Sequence, residues 1–364
     1  MESDLLPYLK AMTKHSASDL FLSTGTTARI KVEGKTLNLG DQAFKPGEVK
    51  ALAYGLLEQH QIEQFEEKLE LNAAVSVSGV GRFRINVYRQ RGEVSLVARY
   101  IRTNIPTVEE LNLPNVLKQL IFEPRGLVLV VGATGSGKST TLASMIEHRN
   151  ISSAGHILTI EDPIEYTYTH KRSVVDQREV GIDTLSYGDA LKNALREAPD
   201  VILIGEILDA TAMEHAISYA DTGHLCLSTL HANSAYQALE RIINFFPQQR
   251  HKQVFEELSM NLRGIVCQRL LRNVDGKRVP AVEVLLNKPH ISELIRNGDI
   301  AGLREGIQKD QNDGMMSMDG ALLKLVESGQ ITEQDALANA DSRTDLELKL
   351  RFGGSDDGFG NSGY

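Results

Sequence analysis

The stretch Gly126-Leu-Val-Leu-Val-Val-Gly132-Ala-Thr-Gly-Ser-Gly-Lys138-Ser139-Thr140 decides the fold. The unbroken apolar run Leu127–Val131 predicts a short strand covered on both faces, the kind found in parallel sheets. The glycines after it fit Gly-x-x-x-x-Gly-Lys-Ser, and Thr140–His148 continues as a helix. A triphosphate site needs this order. Glycines let backbone N–H groups turn inward, and the positive end of the next helix faces the anion. Gly132, Ala133, Thr134, Gly135, Ser136, Gly137, Lys138, Ser139 and Thr140 are therefore the candidate phosphate-binding residues. Lys138 can reach the β- and γ-phosphates, and Ser139 can ligand Mg²⁺. A chance glycine-rich turn is the bland alternative; strand before and helix after argue against it.

Outward from this loop the same alternation recurs. Ile157–Ile160, Val201–Ile204 and Leu225–Thr229 are further short apolar strands separated by helical stretches, which predicts a parallel sheet covered on both faces. Val279–Leu286 is the last strand expected, and helices follow at Ser292–Arg296, Met318–Ser328 and Thr332–Asn339. Ligands of open α/β sheets gather at strand carboxyl ends, so the polar residues there become candidates. Asp200-Val-Ile-Leu-Ile-Gly-Glu206 ends in a carboxylate that can orient water or serve the magnesium shell. Ile157-Leu-Thr-Ile-Glu161-Asp-Pro-Ile-Glu165 ends in three acids around a proline; helix capping by Asp162 and a surface role for Glu161 are the plain alternatives. His224-Leu-Cys-Leu-Ser-Thr-Leu-His231 ends in a histidine that could hydrogen-bond a γ-phosphate, although a lone strand-end histidine is usually structural.

Composition narrows the class. The chain has 364 residues, so two or three domains are expected. Lys and Arg total 39 against 48 Asp and Glu, a net charge of −9 that argues against a nucleic-acid partner. Cys226 and Cys267 are too few for a disulfide framework or a tetracysteine zinc site, and they read as core thiols. The start lacks a signal-peptide pattern, and no run of about 20 mostly apolar residues predicts a transmembrane segment.

Residues 1–104 read as a small α+β domain, with strands at Asp19–Ser23, Ala28–Gly34, Ala73–Ser78, Gly81–Gln90 and Glu93–Ile101 and a helical stretch at Pro46–Lys68. Residues 105–123 are expected to be a linker, 124–345 the second domain with a helical C-terminal part, and 346–364 a disordered acidic, glycine-rich tail. Between Arg82 and Arg102 stand six arginines and one acid, Glu93. The strand period puts Arg82 and Arg84 on one face, with Phe83, Ile85 and Val87 on the other. A solvated face, a nucleic-acid patch and arginines reaching a phosphate on a neighbouring subunit all remain open.

Taken together, Gly132–Thr140, Ile160-Glu-Asp-Pro-Ile-Glu165, Asp200–Glu206, and Thr222-Gly-His224 with Thr229-Leu-His231 resemble the secretion-ATPase superfamily, specifically the type IV pilus retraction ATPases. The likeness extends from about residue 5 to about residue 340. It implies a RecA-like P-loop ATPase domain with a smaller N-terminal PAS-like α+β domain, α/β overall, the nucleotide lying between the two in a homohexameric ring. It implies ATP and Mg²⁺ as cofactors, Lys138 and Ser139 on phosphate and metal, Glu165 as the water-activating glutamate, and Glu206 as the Walker B glutamate and second metal residue. His231 falls in the His box, and Arg84 and Arg99 fall among the arginines that reach the phosphates. The implied work is pilus retraction and twitching motility, in the cytoplasm at the inner face of the membrane, with the pilus inner-membrane platform protein as partner. Gly205-Glu-Ile-Leu208-Asp and His290-Ile-Ser-Glu-Leu-Ile-Arg296 depart from the PilT pattern and resemble the PilU branch, which implies an accessory to a main retraction ATPase. The alternatives are an ATP-binding adaptor, a type II secretion or pilus extension ATPase, and a DNA-translocating motor. Two cysteines and the short N-terminal part argue against the second, and the acidic balance against the third.

Overall fold

Alternation builds the first sheet and continuous hydrophobicity builds the second. The computed structural model describes residues 4–32, 34–309 and 314–352. The chain forms two units, one running to Asn104 and including Ile164–Tyr168, the other comprising Ile105–Pro163 and the chain from Thr169 onward.

The first unit runs α1 (Leu6–Lys14), β1 (Asp19–Leu22), β2 (Thr27–Val32), β3 (Lys35–Ala43), α2 (Glu48–Tyr54), α3 (Gln59–Lys68), β4 (Glu70–Val77), β5 (Gly81–Gln90) and β6 (Glu93–Ile101). Its antiparallel sheet has the order β3-β2-β1-β6-β5-β4. Phe83, Ile85 and Val87 are buried as the period of two requires, in a core shared with Leu20, Leu96 and Phe65. The helical stretch expected over Pro46–Lys68 is two helices, broken around Gly55–Glu58. Strand β3 has no counterpart in the sequence reading because it is an exposed, polar edge strand with no apolar alternation to detect.

The second unit runs α4 (Val116–Leu120), β7 (Gly126–Val131), α5 (Lys138–Ser152), β8 (Gly155–Glu161), β9 (Ser173–Glu179), α6 (Tyr187–Ala194), β10 (Val201–Ile204), α7 (Ala210–Asp221), β11 (Leu225–Leu230), α8 (Ala235–Asn244), α9 (His251–Asn261), β12 (Leu262–Arg272) and β13 (Arg278–Leu286). It closes with α10 (Pro289–Arg296), α11 (Ile300–Lys309), α12 (Met318–Glu327), α13 (Glu333–Asn339) and α14 (Arg343–Phe352). The sheet order is β13-β12-β7-β11-β10-β8-β9, parallel throughout except for the β12–β13 edge. Every residue of β7 is buried, and each aliphatic side chain so placed contributes roughly 1.5–3 kcal/mol.

Two boundaries differ from expectation. The segment 105–123 is not a bare linker: it carries α4, and Leu117, Leu120 and Ile121 are buried. Residues 346–352, expected to belong to a disordered tail, instead lie in α14 (Arg343–Phe352), and Leu346 is fully buried against the main core. Packing of that one leucine outweighs the polar composition around it. Residues 353–364 lie outside the described residues.

Candidate nucleotide site

Parallel strands put their carboxyl ends on one edge. The pairings Leu230↔Val131, Ile204↔Ser228 and Ile204↔Ile160 bring the residues that follow β7, β8, β10 and β11 to that edge together. Gly132, Glu161, Glu206 and His231 thus converge by strand register alone. Thr222 and His224 do not. They precede β11 at its amino end, where Thr222 Oγ1 and His224 Nδ1 face each other at 3.2 Å, a full strand away from His231.

The loop Gly132–Gly137 is shaped by close backbone approach. A Cβ on Gly132 would stand 2.4 Å from Ser136 Oγ and 2.5 Å from Gln268 O, and one on Gly137 would stand 2.7 Å from Gln268 Nε2 at a left-handed φ of +93°. Only glycine fits either position. Helix α5 begins at Lys138 with no side-chain cap, so its first N–H groups are left for an anion. Lys138 is buried and donates to Gly132 O at 2.9 Å and Ala133 O at 3.0 Å. The Ser136 hydroxyl is buried without a hydrogen-bond partner among the described residues, which suits a phosphate oxygen.

Across the edge, His231 Nε2 lies 2.8 Å from Glu206 Oε1, an ion-pair distance at which the oxygen still lacks a hydrogen bond of good angle. Glu206 is held by its neighbours: Thr229 Oγ1 donates to Gly205 O at 2.7 Å, and Ile207 N donates to Thr229 O at 3.0 Å. Glu161 Oε1 accepts from Thr159 Oγ1 at 2.6 Å and from Gln177 Nε2 at 3.2 Å, so this acid is tethered to β8 and β9. Among the described residues no group of three or more His, Cys, Asp or Glu could hold a metal alone. A magnesium ion on a nucleotide needs only one or two protein oxygens, because phosphates and water supply the rest. The hydroxyl of Ser139, in the first turn of α5, and the carboxylate of Glu206, at the same sheet edge, are oxygens of that kind.

Beside the loop, a cleft of mixed lining, with Leu111, Leu113, Leu270 and Pro280 beside Glu110 and Arg278, opens next to the start of α5. On the loop's other flank stand Asn233, Gln268, Arg269 and Asn339. Gln268 Oε1 accepts from Thr141 Oγ1 at 2.6 Å. Arg269 ties three segments, donating to Asn233 O at 2.8 Å and to Asn339 O and Asp341 Oδ1 at 2.5 Å. Sequence reasoning missed Gln268 and Arg269. Their strand, β12, mixes arginines and glutamine with aliphatics and shows neither a continuous apolar run nor a period of two.

In the other unit, Glu165 is exposed, on a segment joined to β6 by Thr167 N donating to Arg102 O at 3.0 Å. Arg84 of β5 stands directly opposite Arg99 of β6, and Arg99 directly opposite Asp19 of β1. Arg99 Nε donates to Asp19 Oδ1 at 2.8 Å, and the Asp19 side chain is 6% exposed. The two arginines stand directly opposite each other while Asp19 pairs with Arg99, and like charges directly opposite destabilise a strand pair. Arg84 has no ion-pair partner among the described residues. Arg89, by contrast, is paired with Glu66 at 2.5 Å. Cys226 and Cys267 are both buried and free, and burial pushes both thiols up, as core thiols require.

Among the described residues no helix is long and apolar enough to cross a membrane. Residues 80–328 match the family described as Type II/IV secretion system protein. The type IV pilus ATPase PilU of Pseudomonas aeruginosa is 49% identical over 350 residues, 96% of this chain and 92% of that one. The type IV pilus retraction ATPase PilT of the same organism is 40% identical over 337 residues, covering 93% and 98%. The crystal structure of the pilus retraction motor PilT with bound ADP superposes with a TM-score of 0.88 at 40% identity, over 94% of this chain and 99% of that one.

Proposed function

This chain belongs to the Type II/IV secretion system family, and within it to the PilT/PilU type IV pilus retraction ATPases; from that premise we propose that it works as a homohexameric motor in twitching motility. Its RecA-like domain binds the nucleotide on Gly132–Thr140, with the phosphates in the loop and the base in the cleft between Leu111 and Leu270. The observation that carries this reading is the convergence of the phosphate loop, Glu206 and His231 on one sheet edge.

In this scheme Lys138 exchanges its carbonyl partners for β- and γ-phosphate oxygens, and Ser136 gains an acceptor. Ser139 and Glu206 would hold Mg²⁺, which supplies charge neutralisation between the phosphates. Glu165 takes the proton of the attacking water, and His231 senses or contacts the γ-phosphate from beside Glu206. Arg84 and Arg99 reach the phosphates at a neighbouring subunit, where they stabilise developing charge. The anion-deficient Arg84–Arg99 pair supports that role.

The likeness to PilU and the exposed Leu208, where the PilT pattern carries arginine, support an accessory role beside a main retraction ATPase. The motor then sits in the cytoplasm at the inner face of the membrane, against the pilus platform protein. ATP turnover of the purified chain, measured alone and with the main retraction ATPase added, tests this. Turnover by the chain alone, without nucleic acid, is expected. Nucleotide binding without turnover by the chain alone, and a rate in the mixture that never exceeds that of the main retraction ATPase, would leave an ATP-binding adaptor.

A further inference from the structure

Tyr187 opens α6, whose N-cap Ser186 accepts from Asp189 N at 3.1 Å. A tyrosine in the first turn of an amphipathic helix reads from sequence as a core aromatic. Its ring, however, points to the sheet edge that carries the nucleotide site. A Cβ on Gly205 would lie 2.9 Å from the Tyr187 hydroxyl oxygen and 3.3 Å from both Glu161 Cα and Ile160 O. The glycine before Glu206 is therefore the space into which this hydroxyl fits. The hydroxyl lies within reach of the Glu206 backbone N–H, and Asp162, Glu161 and Glu206 are the charged groups nearest to it.

The chemistry of this placement is specific. A phenol oxygen that accepts from the Glu206 N–H still has its own proton to give. It can thus fix the backbone of Glu206 from the Gly205 side. Packing alone would use the ring and leave the oxygen without this environment.

We propose that Tyr187 is a positioning residue of the ATPase site: its hydroxyl, seated over Gly205, holds the backbone of Glu206 in place. This rests on the ATPase reading of the Glu206 edge. Tyr187 acts through Glu206 and touches no reacting atom itself.

The test is Tyr187→Phe in the full-length chain, which keeps the ring and removes only the hydroxyl. Wild-type turnover is measured first, so that failure of the ATPase reading is separate from failure of this one. The expected result is kcat lowered about 3- to 10-fold, the size of one lost hydrogen bond, with KM for ATP and melting temperature unchanged. In a Glu206→Gln background the same change should add little, because residues acting as one unit are not additive. Wild-type kcat in Tyr187→Phe would overturn the proposal. So would a loss of turnover that follows melting temperature, appears only in KM, or multiplies in full with Glu206→Gln, since each marks a packing or binding role.

Discussion

Lys138 Nζ lies 2.9 Å from the carbonyl oxygen of Gly132, the first residue of its own loop. The ammonium is thus stored on the loop's carbonyls, already aimed into the cradle that the phosphates enter. Lys138→Ala keeps the backbone cradle but loses the point charge, and tight ATP binding should be lost. Titration with a fluorescent ATP analogue reads this directly; unchanged affinity would remove the phosphate-loop assignment.

Glu165→Gln should keep nucleotide binding and lower turnover by about 10²–10⁴-fold, the usual cost of a missing general base. Glu161→Gln serves as the comparison. Glu161 is tethered by Thr159 and Gln177, so its loss should disturb local packing more than proton transfer. Single-turnover kinetics of both variants decide between them. If Glu161→Gln were the inactive one, the base would have been assigned to the wrong acid.

Arg84→Ala should lower turnover by roughly 10³–10⁵-fold if it acts as an arginine finger, with little effect on stability because it relieves a like-charge pair. Arg99→Ala differs. It leaves the buried Asp19 carboxylate without its cation, so a stability loss of about 1–2 kcal/mol should accompany any kinetic effect. Mixing Lys138→Ala subunits with Arg84→Ala subunits tests action in trans. Mixed rings should recover part of the activity, and confirmed mixed rings with none would make each subunit autonomous.

Glu283 is buried at the start of α8, accepting from Ala235 N at 2.7 Å, and burial pushes its carboxyl from 4.5 up to about 7. Asp341 reinforces that rise, while Arg269 and the backbone N–H groups of Ala235 and Met318 oppose it. A folded-state value above the unfolded one means that the folded chain binds more protons. The stabilisation is therefore full below about pH 4.5 and is lost as pH rises through 7. Glu283→Gln keeps the acceptor for Ala235 and cannot ionise, so at pH 8 it should be about 1–3 kcal/mol more stable than wild type. Melting curves from pH 5 to 8 should converge at the acid end; parallel curves would show that Glu283 does not titrate there.

Much of the protein was legible in its sequence because the decisive physics is local. A strand buried on both faces must be continuously apolar, and a phosphate loop must have glycine where backbone and side chains approach within contact distance. Leu127–Val131 and Gly132–Lys138 satisfy both within a dozen residues, so the α/β class and the candidate nucleotide site could be read from the chain alone. The periodicity of β5 likewise assigned Phe83 and Arg84 to opposite faces. Tertiary structure decided everything that depends on which strand lies beside which. Strand register, not sequence distance, sets His231 against Glu206 and separates His224 from both. It seats Asp19 against Arg99 across eighty positions of chain. It also delivers Gln268 and Arg269 to the phosphate loop from a strand with no readable pattern, and the Tyr187 hydroxyl to the space above Gly205. Hydrophobic periodicity records only which side of an element is buried, whereas a site is built from the polar residues that register brings together.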